Sequence, residues 1–228
     1  MLDRVRRIVC ADPAGELDVW CLRCSEAELD RVQTGLLDEA ERERAHRLHG
    51  ADDRRRFLTA HVLLRELLAR HLRVPPAELL FRRDPCPACG GPHGRPSLIE
   101  PAAAPQFSLS YSADLILVAI APRPVGVDVE SFPRVSDADA VAGLLHPLER
   151  AQVSAAAEAE RAAVFTRLWA RKEAYLKGVG TGIARGLDRY VADDEDSANA
   201  DWTVIDLPLA AGYAGAAAIS TQSRARVC

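Results

Sequence analysis

Between residues 107 and 129 the chain has room for three short strands and almost nothing else. Residues 107–111 and 115–121 are aliphatic and aromatic runs of strand length, and Ser112-Ala113-Asp114 between them is hairpin chemistry. Residues 125–129 follow as a third strand. Helical patterns flank this block. Residues 36–72 are arginine-rich, and Phe57, Leu58, His61, Val62, Leu64, Leu68 and Leu72 fall on one helical face before Pro75-Pro76 stops it. Residues 164–177 form the clearest helix, ended by the glycines at 178, 180 and 182. Further strands are expected at 17–22, 79–81, 202–206 and 212–220. Further helices are expected from Ser25 as N-cap and over 136–161, interrupted near His146-Pro147. Strands and helices thus alternate in both halves, which makes the class α/β or α+β.

The 228 residues suffice for one large domain or two small ones with a real core. Net charge is -4, so no global basic field points to nucleic acid. The longest aliphatic run, 115–121, is strand length, so no membrane span is expected. Six cysteines in a chain of this size are no disulfide framework, and a reducing, cytoplasmic setting is the expectation.

Gly126-Val127-Asp128-Val129-Glu130 is the sharpest local pattern. Residues two apart on a strand share a face, so Asp128 and Glu130 project together and Val127 and Val129 point the other way. Adjacent carboxylates repel unless water or a cation compensates, and hard oxygen donors suit magnesium. An edge strand with a solvated acidic face accounts for the pentapeptide equally well. On the helix at 164–177, Phe165, Leu168, Trp169 and Leu176 mark a buried face, with Glu173 at its margin and Lys177 one turn on. Glu173 is then a base, a metal ligand, or half of an ordinary surface Glu–Lys pair.

Taken together these features resemble the surfactin-type phosphopantetheinyl transferases. The similarity rests on GVDVE, followed about 40 residues later by W-x-x-K-E-A-x-x-K at 169–177. FSLSYS at 107–112, Gly94-Arg95-Pro96, the basic helix start at Arg54-Arg55-Arg56 and the glycines after Lys177 resemble further family elements. The resemblance runs from about residue 38 to 186. It implies two similar lobes related by pseudo-twofold symmetry, residues 1–122 toward the nucleotide end of coenzyme A and 123–228 carrying the magnesium and the catalytic helix. It implies a monomer whose partners are coenzyme A and an acyl or peptidyl carrier protein. Asp128, Glu130 and Glu173 would bind Mg2+. Glu173 would also act as base, with Lys177 and Lys172 as the other catalytic groups. Arg44, Arg56, Arg95, Ser110, Tyr111 and Lys177 would hold coenzyme A. The chain departs from the family at Tyr111, where a histidine that helps bind the 3'-phosphate is usual, and at Ser108, often asparagine. A coenzyme A or carrier-protein binding module and a magnesium-dependent phosphohydrolase are the competing classes.

Cys86-Pro87-Ala88-Cys89-Gly90-Gly91-Pro92-His93 has the turn chemistry of a zinc knuckle. Cys86, Cys89 and His93 supply three ligands for structural Zn2+, and a closed site needs a fourth. Cys21 and Cys24 face opposite ways on a strand and do not supply it. A compact Gly/Pro loop with reduced thiols accounts for the same residues.

Overall fold

The expected hairpin forms, and the third strand leaves it for another sheet. The computed structural model describes residues 5–8, 12, 14–24, 33–101, 104–133, 141–182, 186–191 and 201–222. In chain order these form β1 (Arg6–Ile8), β2 (Asp18–Arg23), α1 (Glu39–His46), α2 (Ala51–Leu72), β3 (Phe81–Arg83) and β4 (Pro96–Leu98). Then come β5 (Gln106–Ser112), β6 (Leu115–Ala121), β7 (Val125–Ser131), α3 (Pro147–Ala155), α4 (Glu158–Val179), β8 (Trp202–Asp206) and β9 (Tyr213–Ser220). The helix expected from Ser25, the start of the 136–161 helix and most of the acidic loop near 193 lie outside the described residues.

One antiparallel sheet has the order β1-β2-β6-β5, a second β7-β9-β8, and β3-β4 is a small ribbon. The period-2 alternation of β6 decides the layering. Ile116, Val118 and Ile120 pack on α2 through Leu63, Leu64, Leu67 and Leu68. Leu115, Leu117 and Ala119 face the second sheet and meet Val127, Val129, Ala217 and Ile219. Ala216 and Ala218, on the other side of β9, pack on Ala170, Ala174 and Leu176 of α4. The order is helix, sheet, sheet, helix, a mixed α/β architecture. Cys21 and Cys24 fall into clusters on opposite faces of the first sheet, as strand geometry requires.

The two sheets are joined along β5 and β7 by serines rather than a backbone ladder. Ser108, Ser110 and Ser112 share one face of β5. Their hydroxyls accept from the N–H groups of Val127, Val129 and Ser131 at 3.0, 3.4 and 3.1 Å. Each otherwise orphaned strand-edge donor is thereby satisfied.

The helical stretch at 36–72 is two helices. Asp38 caps α1 in a capping box with Glu41, and Gly50, extended, starts α2. Arg54 closes the joint by donating to the carbonyls of Ala45 and Leu48 at 3.2 and 3.0 Å. Arg65, wholly buried in α2, bonds Asp38, Glu41 and the carbonyls of Pro76 and Leu79, so α1 is tied to the first core. Pro147 opens α3 with His146 as N-cap, which explains the interruption there. Helix α4 runs to Val179, and Gly180 at φ 89° ends it.

Candidate active site

Strand β7 turns its two residue types to two layers. Val127 and Val129 are buried between the sheets, while Asp128 and Glu130 face α4. Helix α4 comes close because the surfaces beneath it are small. A Cβ on Gly126 would lie 1.9 Å from the carbonyl oxygen of Ala174, and one on Gly178 would lie 2.5 Å from the Trp202 ring. This close approach brings Glu173 and Lys177, one turn apart on α4, over the acids of β7. A cavity of about 330 Å³ results, lined by Ser110, Tyr111, Asp128, Glu130, Trp169, Glu173 and Lys177.

Its charges are unbalanced. The Lys177 ammonium donates to Asp128 Oδ1 at 2.6 Å and to Ser110 at 2.9 Å. Ser110 donates to the same carboxylate oxygen at 2.8 Å, and Ser112 donates to Glu130 at 3.0 Å. Asp128 Oδ2 and Glu173 Oε1 are buried and have no hydrogen-bond partner among the described residues. Burial, then the neighbouring Asp128 charge, pushes Glu130 up to about 7. The same two causes raise Glu173. Three acids and one lysine thus crowd carboxylates together with unmet oxygen lone pairs, a donor set suited to a hard divalent cation. Among the described residues the group with donor atoms within 4.8 Å of one another is Cys86, Cys89 and His93, so the three acids are spaced more openly.

A second cavity, about 580 Å³, adjoins the first and shares Leu109, Tyr111 and Lys177 with it. Arg44, Arg82, Arg83 and Arg95 line it beside Phe57 and Phe107. Arg44 lies over the Phe57 ring at 5.7 Å, and Arg95 donates to the Gly178 carbonyl at 2.9 Å, next to Lys177. Burial pushes His61 in its wall down to about 4, so this imidazole stays neutral near pH 7. Burial raises Tyr111, which therefore stays a neutral hydroxyl.

Two expected residues lie elsewhere. Arg56 does not line either cavity and pairs with Asp53 at 3.0 Å. Lys172, expected at the phosphates or as a brace of the site, lines neither cavity. One residue before Glu173 is about 100° around the helix. Its ammonium is therefore buried on another side, against Glu149 at 2.8 Å and the carbonyls of Leu187 and Tyr190. Trp169 lines the smaller cavity while packing on Phe165. Sequence reasoning missed Arg82 and Arg83, whose strand was placed slightly early, and Ser112. The period-2 rule applied to Ser110 would have found the last of these.

The 4'-phosphopantetheinyl transferase superfamily model matches residues 124–217, from the start of β7 into β9. The 4'-phosphopantetheinyl transferase HetI of Nostoc is 32% identical over 75% of this chain and 71% of its own length. A phosphopantetheinyl transferase of Thraustochytrium is 30% identical over 80% of this chain and 68% of its own. The chain belongs to the 4'-phosphopantetheinyl transferase superfamily. The 4'-phosphopantetheinyl transferase Sfp of Bacillus subtilis is 24% identical over 73% of this chain, in keeping with the surfactin-type resemblance. The chain spans between 63% and 71% of the length of these relatives and of one from Synechocystis. Among the described residues no helix is long and apolar enough to cross a membrane.

Proposed function

We propose that this protein moves the 4'-phosphopantetheine group of coenzyme A onto a serine of an acyl or peptidyl carrier protein, with magnesium, releasing adenosine 3',5'-bisphosphate. The observation that carries this reading is the pair of buried, unpartnered oxygens on Asp128 and Glu173, at the junction of an acidic and an arginine-lined cavity.

The roles follow from charge. Asp128, Glu130 and Glu173 would hold Mg2+ against the pyrophosphate. When bound, the ion neutralises charge growing on the bridging and equatorial oxygens. Lys177, already at the junction, donates to a phosphate oxygen once its bond to Asp128 is given up. Glu173, with raised proton affinity, accepts the proton of the attacking serine directly or through a water. Arg44, Arg82, Arg83 and Arg95 suit the nucleotide phosphates through their forked donors. The serine oxygen attacks the pantetheine-side phosphorus, and the bond to the bisphosphate leaving group breaks. No covalent enzyme intermediate is required.

Two lobes divided near residue 122 fit the two sheets, each backed by one long helix, α2 or α4. A monomer acting in the cytoplasm completes the proposal.

The test is the intact mass of an apo carrier protein after incubation with coenzyme A, magnesium and this protein. A gain of one phosphopantetheine, lost with Glu173→Ala or on chelation, supports the reading. No gain across several acyl and peptidyl carriers overturns it.

A further inference from the structure

A second group of ligand-forming side chains lies apart from the acids. Cys86, Cys89 and His93 each place one donor atom within 4.8 Å of the others. Cys89 Sγ is 3.0 Å from His93 Nε2. Cys86 is buried. The Gly91 N–H is directed at Cys89 Sγ at 3.4 Å.

The loop is built around this convergence. The Cys86 N–H donates to the Gly91 carbonyl, and the Gly90 N–H to the Cys86 carbonyl, both at 2.8 Å. Gly90 takes φ +72°, a value glycine adopts without strain. A Cβ on Gly91 would lie 3.0 Å from the His93 ring and 3.3 Å from the Cys89 sulfur. Glycine at 91 thus leaves the space in which ring and thiol meet. Two thiols and an imidazole around one point, with the Gly91 N–H aimed at one sulfur, form a soft donor set suited to zinc rather than magnesium.

We infer that Cys86, Cys89 and His93 bind one Zn2+, with a water as fourth ligand on the exposed side of Cys89 and His93. Its role is positional. The loop closes directly onto Arg95: the Asp84 N–H donates to the Arg95 carbonyl at 2.9 Å, and the Gly94 N–H to the Asp84 carbonyl at 3.0 Å. A Cβ on Gly94 would lie 2.3 Å from that same Asp84 oxygen, so the two strands of the loop are in contact. Arg95 in turn reaches the Gly178 carbonyl at the end of α4. A metal at the loop tip fixes the arm that carries Arg95 to the junction of the cavities.

The experiment is metal analysis of the full chain, purified under reducing conditions without chelator, then incubated with zinc and desalted. One zinc per chain is expected, falling below about a tenth of an equivalent in Cys89→Ser and His93→Ala. Both side chains are exposed, so the variants are expected to stay folded by circular dichroism. Cobalt in place of zinc should give a thiolate-to-cobalt charge-transfer band that both variants lose. Retention of zinc by both variants, a zinc-free reduced protein, or a Cys86–Cys89 disulfide in protein kept reduced would overturn the site. A positional role further predicts that the variants raise KM for coenzyme A about tenfold with little change in kcat. An unchanged KM would overturn that role. Zinc content is read without any transfer assay, so its failure and failure of the transferase reading are separate results.

Discussion

Lys172 and Glu173 are neighbours on α4 and sit in opposite electrostatic circumstances. The Lys172 ammonium is fully buried and fully met: Glu149 at 2.8 Å, two carbonyls, and the face of Tyr190 at 4.1 Å. Glu149 is itself bonded by the His146 N–H at 3.1 Å as part of the α3 cap. Glu173, on the other face, keeps an oxygen buried without a partner beside two more acids. The first arrangement is closed and holds α3 and the 187–190 turn onto α4. The second is left incomplete, which is expected where binding a cation and a phosphate is to complete it. One turn of helix therefore carries a closed ion pair and an open carboxylate, told apart only by which groups face them.

The comparison is broken most severely at the incomplete side. Glu173→Gln keeps shape and removes charge. Transfer is expected to fall about a thousandfold, while the melting temperature holds or rises because a buried charge is gone. A variant with near-normal turnover would remove Glu173 from the chemistry. On the closed side the reverse pattern is expected. Lys172→Met strands a buried Glu149 and should cost about 3–5 kcal/mol of stability, with turnover per folded molecule largely kept. Lys172→Met with Glu149→Leu should recover most of that loss, because the stranded charge is removed. A Lys172→Met protein that is stable but inactive would return this lysine to the active site.

Acidity sharpens the contrast further. Glu130 ordinarily ionises near 4.5 and here is raised to about 7. Between those values the metal-free native state binds more protons than the unfolded chain, so its stability must fall as pH rises through the window. Magnesium would offset the repulsion that appears as the acid ionises. The melting temperature without magnesium is therefore expected to drop from pH 5 to pH 8, and the rise on adding magnesium to grow over the same range. Glu130→Gln should flatten both trends. A magnesium effect independent of pH would mean that Glu130 lies outside the cation site.

The site was legible where a local period carried it. GVDVE has strand alternation, so the shared face of Asp128 and Glu130 could be read directly, and Glu173 and Lys177 follow from helical spacing. The surroundings of Lys172 were not legible, because helical spacing says which residues share a face but not which neighbour covers it. Here Glu149 comes from another helix and the two carbonyls from a turn. Arg65 was invisible as a buried hub for the same reason, since its partners span residues 38 to 79. The transfer of β7 to the second sheet was also hidden. Its partner β9 lies about 90 residues on, and the serines that join β5 to β7 look like ordinary polar strand positions.

The smallest expected effect concerns Tyr111, which lines both cavities. A neutral hydroxyl gives a 3'-phosphate one ordinary hydrogen bond, where an imidazolium would add charge. The difference between those two bond types is about 1 kcal/mol, or roughly fivefold in affinity. The protein should therefore prefer coenzyme A over its 3'-dephospho form only modestly. Tyr111→His should raise that preference about fivefold below pH 6.5, where an unperturbed imidazole is charged, and much less at pH 8. A strong preference already present, and unchanged in Tyr111→Phe, would assign 3'-phosphate recognition to Arg44, Arg82 and Arg83 instead. Arginine variants in the larger cavity would then become the decisive series.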